Sequence, residues 1–307
     1  MKSDSREKIA FNIGQDAGVY GIEFFEDWPI DLREGWAVSR KRHPQPKASD
    51  RFIKKWVQLR VGAYKRDKYF ADDVTPNYLK MINLGFCPVI LQDFTYSKNM
   101  NTDWSIDRVN NSRGYERRNL ISLSTKANSA KSDLSYSEIG EKVARGRAIT
   151  NLAIDETVAL WSVISPFFRN ENDDIEKLND YYHGQIVVPD VPMNWVMSLQ
   201  LMLSLSIAGE GISGLQTVLR IFSKCSGNKR LLAKLMKRLC KFSCREPAVP
   251  FTRFPEWRNE GNRKNLRRWL RSIRPQYREH LRELATSIAS ENAQIVLESN
   301  LEKWEID

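Results

Sequence analysis

Apolar residues recur at two different periods along the chain, and the change between them divides it. Phe52, Ile53, Trp56, Leu59 and Val61 return at near-helical spacing with Lys54, Lys55 and Arg60 between them. This predicts a basic-faced helix that Asp50 caps after the Pro-containing loop at 43–50. A second helix is predicted after Pro76, where Tyr78, Leu79, Ile82 and Leu84 run up to a stop at Gly85. From Phe86 to Leu134 the period shortens, with β-type runs at 88–96, 104–109 and 119–124 separated by polar turns at 99–101 and 110–114. Ser124 or Thr125 can then cap a helix through 127–131, and Ser135 with Glu138 has the spacing of a capping box. The N-terminal stretch through 23–29 mixes aromatic, apolar and charged residues without a clean period.

Beyond residue 150 the pattern is mostly helical. The longest apolar run, 191–209, is interrupted by Asn194, Gln200 and several serines, which predicts a buried helix rather than a membrane span. Leu231, Leu232, Leu235, Leu239 and Phe242 make one apolar face, with Lys234, Lys237, Arg238 and Lys241 on the other side. Leu266, Trp269, Leu270 and Ile273 repeat the pattern with Arg263, Lys264, Arg267, Arg268, Arg271 and Arg274 outward, and Pro275 ends or kinks that helix.

Charge adds a location to this picture. The chain has 307 residues with 48 Lys+Arg against 38 Asp+Glu. Residues 220–280 alone hold 18 Lys+Arg and 4 acids, so the excess is local. A second basic stretch, 40–68, has 11 Lys+Arg against Asp50 and Asp67. Such concentrations fit a polyanionic partner, most simply nucleic acid, because neutralised phosphates release condensed counterions. The start of the chain has no apolar leader and the 4 Cys are too few for a disulfide framework, so a cytoplasmic location and no membrane association are expected. Cys225, Cys240 and Cys244 suit core thiols better than a zinc site, which wants four ligands. The glycines at 209–214 lack the Lys-Ser/Thr ending of a phosphate-binding loop. Trp257 and Trp269, set among arginines, are expected to pack rather than to stack on bases.

The most specific stretch runs Trp104-Ser105-Ile106-Asp107-Arg108-Val109-Asn110-Asn111-Ser112-Arg113-Gly114-Tyr115, then Asn119-Leu120, then Asn128-Ser129-Ala130-Lys131. It resembles the HNH endonuclease motif in its S-x-D-R…G-Y…N-L…N-x-x-K variant, found in many phage and bacterial proteins, and Phe86-Cys87-Pro88 with Leu91 is similar to the segment that precedes it there. The resemblance implies a ββα-metal module and a metal-dependent endonuclease acting on DNA, in a phage-defence or restriction setting. The expected architecture is α+β, with this small module (80–150) embedded in a mainly helical protein between an N-terminal basic region (1–79) and a helical, basic C-terminal domain (151–307).

Phosphodiester hydrolysis needs a hard divalent cation, Mg2+ or Mn2+, which prefers oxygen ligands and retains several waters. Asp107 and Asn128 offer one carboxylate and one amide oxygen as metal ligands. Asn119 is expected to hydrogen-bond the intervening loop and hold the strands in register, and Gly114 to supply a positive φ there. Lys131, three positions after Asn128, shares its helix face and is expected to reach phosphate. Where the family pattern commonly has a His general base, this chain has Arg108, which stays protonated and can only clamp phosphate or stabilise developing charge. The base would then be a metal-bound hydroxide or a residue from elsewhere: His43 first, then His183, His280 or Asp103. Arg267, Arg268, Arg271 and Arg274 are expected to contact DNA. Two other classes remain open: a nucleic-acid-binding protein that keeps the scaffold without chemistry, and a nuclease subunit whose helical C-terminal domain docks on a protein partner.

Overall fold

The computed structural model describes residues 3–168, 195–210, 228–243, 255–275 and 277–287. Among the described residues helices dominate and one two-stranded sheet accompanies them, a mixed α+β fold. The chain forms two compact units, one of residues 1–81 and 110–120, the other of residues 82–109 and 121–307.

The first unit is built on α1 (Ser3–Val19), α2 (Ile30–Arg42), α3 (Arg51–Lys65) and α4 (Pro76–Ile82). The helices α1 and α2 were not predicted, and their contact explains why. They meet through small residues: a Cβ on Gly14 would lie 1.9 Å from the Leu32 carbonyl oxygen, and one on Gly35 would lie 2.0 Å from that of Phe11. Backbones this close leave no room for the large apolar side chains that make a helical period visible. Ala10, Ile13, Ala17, Leu32, Val57 and Val61 form the core beside them. As expected, Asp50 caps α3, its carboxylate accepting from the amides of Phe52 and Ile53.

The second unit holds β1 (Trp104–Arg108), β2 (Leu120–Ser124), α5 (Thr125–Lys131), α6 (Tyr136–Ala144) and α7 (Ile154–Ile164). It continues with α8 (Trp195–Glu210), α9 (Lys229–Ser243), a 3-10 turn (Pro255–Arg258), α10 (Glu260–Ser272) and a further helix at 277–287. Trp104 and Ile106 point one way into the core while Ser105 and Asp107 alternate to the other face. The Trp104 indole N–H donates to Ser122 Oγ at 3.1 Å and joins the two strands side by side. The capping box of Ser135 and Glu138 starts α6 as predicted. Residues 88–96, predicted as a strand, form instead a turn in which Leu91 takes φ 54°, the Leu91 amide donates to Cys87 O, and isolated bridges join Phe86 to Asp93 and Thr95 to Asp103. Pro88 has no N–H to give a ladder and a left-handed Leu91 reverses the chain, which overrides the β-type composition.

The helical part of this unit packs around Leu199, Met202, Leu235, Leu239, Trp257 and Trp269. Both tryptophans are fully buried, so neither is a stacking platform. The first four residues of the apolar run at 191–209 lie outside the described residues, and α8 covers the rest. Among the described residues no helix is long and apolar enough to cross a membrane.

A buried polar chain crosses this core. The Trp257 indole N–H donates to Ser204 Oγ at 2.8 Å, and Ser204 Oγ donates to Glu256 Oε1 at 2.9 Å. Burial pushes the Glu256 carboxyl above the usual range, and the Ser204 bond only partly opposes it. A raised folded-state pKa means that the carboxyl favours folding below its unfolded pKa and loses that contribution as pH rises through the folded value. Glu256→Gln keeps the acceptor for Ser204 and removes the ionisation. It is expected to raise Tm by about 2–4 °C at pH 8, with the gain fading towards pH 4; thermal melts across that range check it.

Candidate functional site

The site is assembled from β1, β2 and α5. Ser124 ends β2 and caps α5, its Oγ accepting from the Ala127 amide at 3.2 Å. Two amides of the first helical turn then find carbonyls in the loop before β1: Thr125 N donates to Asp103 O at 2.8 Å and Lys126 N to Asn101 O at 2.9 Å. These bonds satisfy donors a helix start leaves open, and they fix α5 against the β1 side of the sheet.

That docking sets two residues of α5 against two of β1. Asn128 Nδ2 donates to Ser105 Oγ at 2.8 Å, which leaves the amide oxygen uncommitted among the described residues. One turn on, the Lys131 ammonium donates to Arg108 O at 3.0 Å and lies 2.9 Å from Asp107 Oδ2. The latter contact is an enclosed ion pair, with Oδ2 buried against the ammonium. The Asp107 side chain is 12% exposed and that of Lys131 0%. Burial pushes the Asp107 carboxyl up, while the charge and hydrogen bond of Lys131, the Arg108 backbone N–H and the Arg108 charge pull against it. Ser105 was missed in the sequence, although its place two residues before Asp107 in a strand puts both on one face.

Lys131, expected within reach of phosphate, is enclosed and engaged by Asp107 and the Arg108 carbonyl, so it neutralises a carboxylate inside the protein. The physical reason is the docking of α5, which turns its 128/131 face onto β1 rather than outward.

The loop between the strands is organised by Asn119, which is 1% exposed. Its Oδ1 accepts from Asn110 N at 2.9 Å and its Nδ2 donates to Asn110 O at 3.1 Å and Gly114 O at 2.8 Å. Gly114 does not take the expected positive φ; Arg118 does, at 59°. Glycine is required at 114 by the close approach of another strand of chain, because a Cβ there would lie 2.5 Å from Tyr69 O. Asn119→Ala removes three bonds and orphans buried backbone groups at about 1 kcal/mol each, so a loss of about 2–4 kcal/mol is expected in denaturant unfolding.

Around the site, a second set of contacts ties α5 to the helical part of the same unit. Lys126 Nζ reaches both Glu156 carboxylate oxygens at 2.8 Å, and Glu156 also caps α7 by accepting from Ala153 N. The Arg258 guanidinium donates to the carbonyls of Val89 and Pro88 at 2.5 and 3.3 Å. Burial lowers the Arg258 pKa, and the nearby charges of Asp155 and Glu156 hold it up. No local pattern could reveal a contact between residues 169 positions apart.

Among the alternative bases, Asp103 is a loop-former: its carboxylate accepts from Thr95 Oγ1, Lys98 N and Met100 N, and the Thr95 bond above all holds it below the usual range. His43 is exposed at the end of α2, in the other unit, and His280 is exposed on the helix at 277–287. His183 lies outside the described residues, as do Cys225 and Cys244; Cys87 is a buried free thiol and Cys240 a partly buried one.

The basic segments divide between internal and outward use. In the first unit Arg60 pairs with Asp16 and lies over the Trp56 ring, Lys65 pairs with Asp27, and Arg66 donates to the Tyr115 hydroxyl. Arg268 and Arg271 on α10 and Arg274 just beyond it are exposed as expected, whereas Arg267 is only partly exposed, with Nε and Nη2 buried. Arg263 donates to Trp257 O and Arg258 O, closing the 3-10 turn before the helix.

A divalent cation of this kind asks for hard oxygen donors. Among the described residues no group of three or more His, Cys, Asp and Glu could hold a metal. One carboxylate, together with one amide oxygen that is uncommitted among the described residues, nevertheless fits a hard ion that keeps most of its waters. Comparison with protein-family models, curated proteins and solved structures gave no match.

Proposed function

We propose that the protein is a metal-dependent endonuclease of the HNH type that hydrolyses phosphodiester bonds in DNA. The observation that carries this reading is the register of α5 on β1, which brings Asn128 against Ser105 and Lys131 against Asp107, so that the carboxylate and the amide the motif resemblance nominates lie on one face. Asp107 and Asn128 would hold Mg2+ or Mn2+. When bound, such an ion neutralises phosphate charge and acidifies a water that can serve as nucleophile.

The protein's own groups have separable roles in this reading. Lys131 opposes the push of burial on the Asp107 carboxyl, and Asn119 holds the loop that joins the two strands. Arg108, next to Asp107 and permanently charged, binds a phosphate oxygen or stabilises charge developing on it. One observation favours a second reading, a DNA-binding protein without chemistry: the Lys131 ammonium already sits 2.9 Å from Asp107 Oδ2 and competes there with a divalent ion.

Incubation of the purified protein with supercoiled plasmid in Mg2+, in Mn2+ or in chelator separates the two. Nicked or linear product in metal and none in chelator is the expected result. Intact plasmid under all three conditions, with retained DNA binding, would overturn the nuclease reading in favour of the second.

A further inference from the structure

The outer face of α9 carries Arg230, Lys234, Lys237 and Lys241 at intervals of four, three and four residues, which places them in one row along the helix. All four are exposed, and none has an ion-pair partner among the described residues. The helix contains no acidic residue. The row spans about 16 Å at 1.5 Å per residue. Arg238, assigned to this face in the sequence, is turned aside: its Nε donates to Asn262 Oδ1 at 3.1 Å.

Three polyanionic partners fit a row of cations, and the rest of the helix distinguishes them. A basic amphipathic helix that lies on a membrane must have its apolar face available. Here Leu232, Leu235, Met236 and Leu239 are buried in the unit's own core. A groove for single-stranded nucleic acid needs aromatic rings on which bases stack. The described outward positions of α9 offer only cations and Ala233. What remains is a ladder of positive charge with neither an apolar nor a stacking component, suited to the regularly spaced phosphates of a duplex.

We propose that this face of α9 binds the phosphate backbone of duplex DNA without regard to sequence. The choice of DNA over RNA rests on the nuclease reading above; the binding itself does not, and it is measured in chelator, where no cleavage occurs. The full chain and its Arg230→Gln/Lys234→Gln/Lys237→Gln/Lys241→Gln variant are titrated, over a range of salt, against a mixed-sequence DNA duplex, the same sequence as a single strand, the RNA duplex of that sequence, and vesicles containing phosphatidylserine. The expected result is duplex binding whose log K falls with log salt, and a slope shallower by about 3–4 units in the variant, at about 0.9 per phosphate contact. Equal loss on an unrelated duplex sequence, with unchanged Tm, supports the assignment. An unchanged slope overturns it and gives the face to an acidic protein partner; tighter binding to the single strand or to vesicles overturns it in favour of those ligands. Tighter binding to the RNA duplex overturns the DNA assignment. A flattened slope alongside a protein that never cuts plasmid leaves this surface standing and removes the nuclease reading alone.

Discussion

Lys131→Met is expected to cost about 3–5 kcal/mol of folding free energy, the range for removing one partner of a buried ion pair. The Asp107 carboxylate then remains enclosed with its cation gone, in a position where burial already pushes it towards the neutral form. The deficit should shrink as pH falls, because a carboxyl whose folded pKa lies above its unfolded value favours folding when protonated and opposes it once ionised. Adding Asp107→Leu to Lys131→Met should recover most of the loss, since a well-packed apolar pair is often as stable as a buried ionic one. Urea unfolding of the parent, single and double variants at pH 5 and pH 8 measures all of this. A double variant no more stable than Lys131→Met would mean that the Lys131 bond to the Arg108 carbonyl, rather than neutralisation of Asp107, carries the loss.

Asp107→Asn is the corresponding test of chemistry, with an expected fall in plasmid cleavage of about a hundredfold or more in Mg2+. Asparagine keeps the shape of the side chain and an oxygen for the Lys131 ammonium, so the fold should survive; it gives up the anionic oxygen that a hard cation prefers. Duplex binding in chelator should be nearly unchanged, because the groups proposed to meet phosphate are cations and Asp107 is not among them. Asn128→Ala should lower cleavage similarly, and it also removes the bond to Ser105. Arg108→Lys should keep part of the activity that Arg108→Ala loses, since the charge remains but the planar fork does not. An Asp107→Asn protein that cuts like the parent would remove Asp107 from the reaction.

Much of the frame is legible in the residues themselves. Helix starts that depend on a local side-chain bond were legible: Asp50, Ser124 and Ser135 each accept from an amide two or three residues ahead. Strands β1 and β2 followed from β-type runs between polar turns, with bounds differing from expectation by one residue at one end. What failed did so where tertiary contacts replace local pattern. Glycine-mediated packing hides α1 and α2 from a search for apolar periods, and Leu91 in a left-handed conformation turns a strand-like composition into a loop. At the site, sequence spacing placed Asn128 and Lys131 on one face correctly. The direction of that face depended on how α5 docks, which no spacing contains, so the depth at which Lys131 lies was not foreseeable.

The side chains that Arg258 and Glu156 send to Val89, Pro88 and Lys126 have a practical consequence for anyone hoping to reuse the strand–strand–helix segment. Residues 80–150 are not a portable cartridge. Cut out at those limits, the piece would leave behind the guanidinium that closes its opening turn and the carboxylate that anchors its helix, and its 110–120 excursion would lose the Tyr69 and Ala71 backbone that bonds to Tyr115. A transplant into another scaffold would therefore have to carry helix α7 and the turn at Pro255–Arg258 with it, or replace those tethers by design.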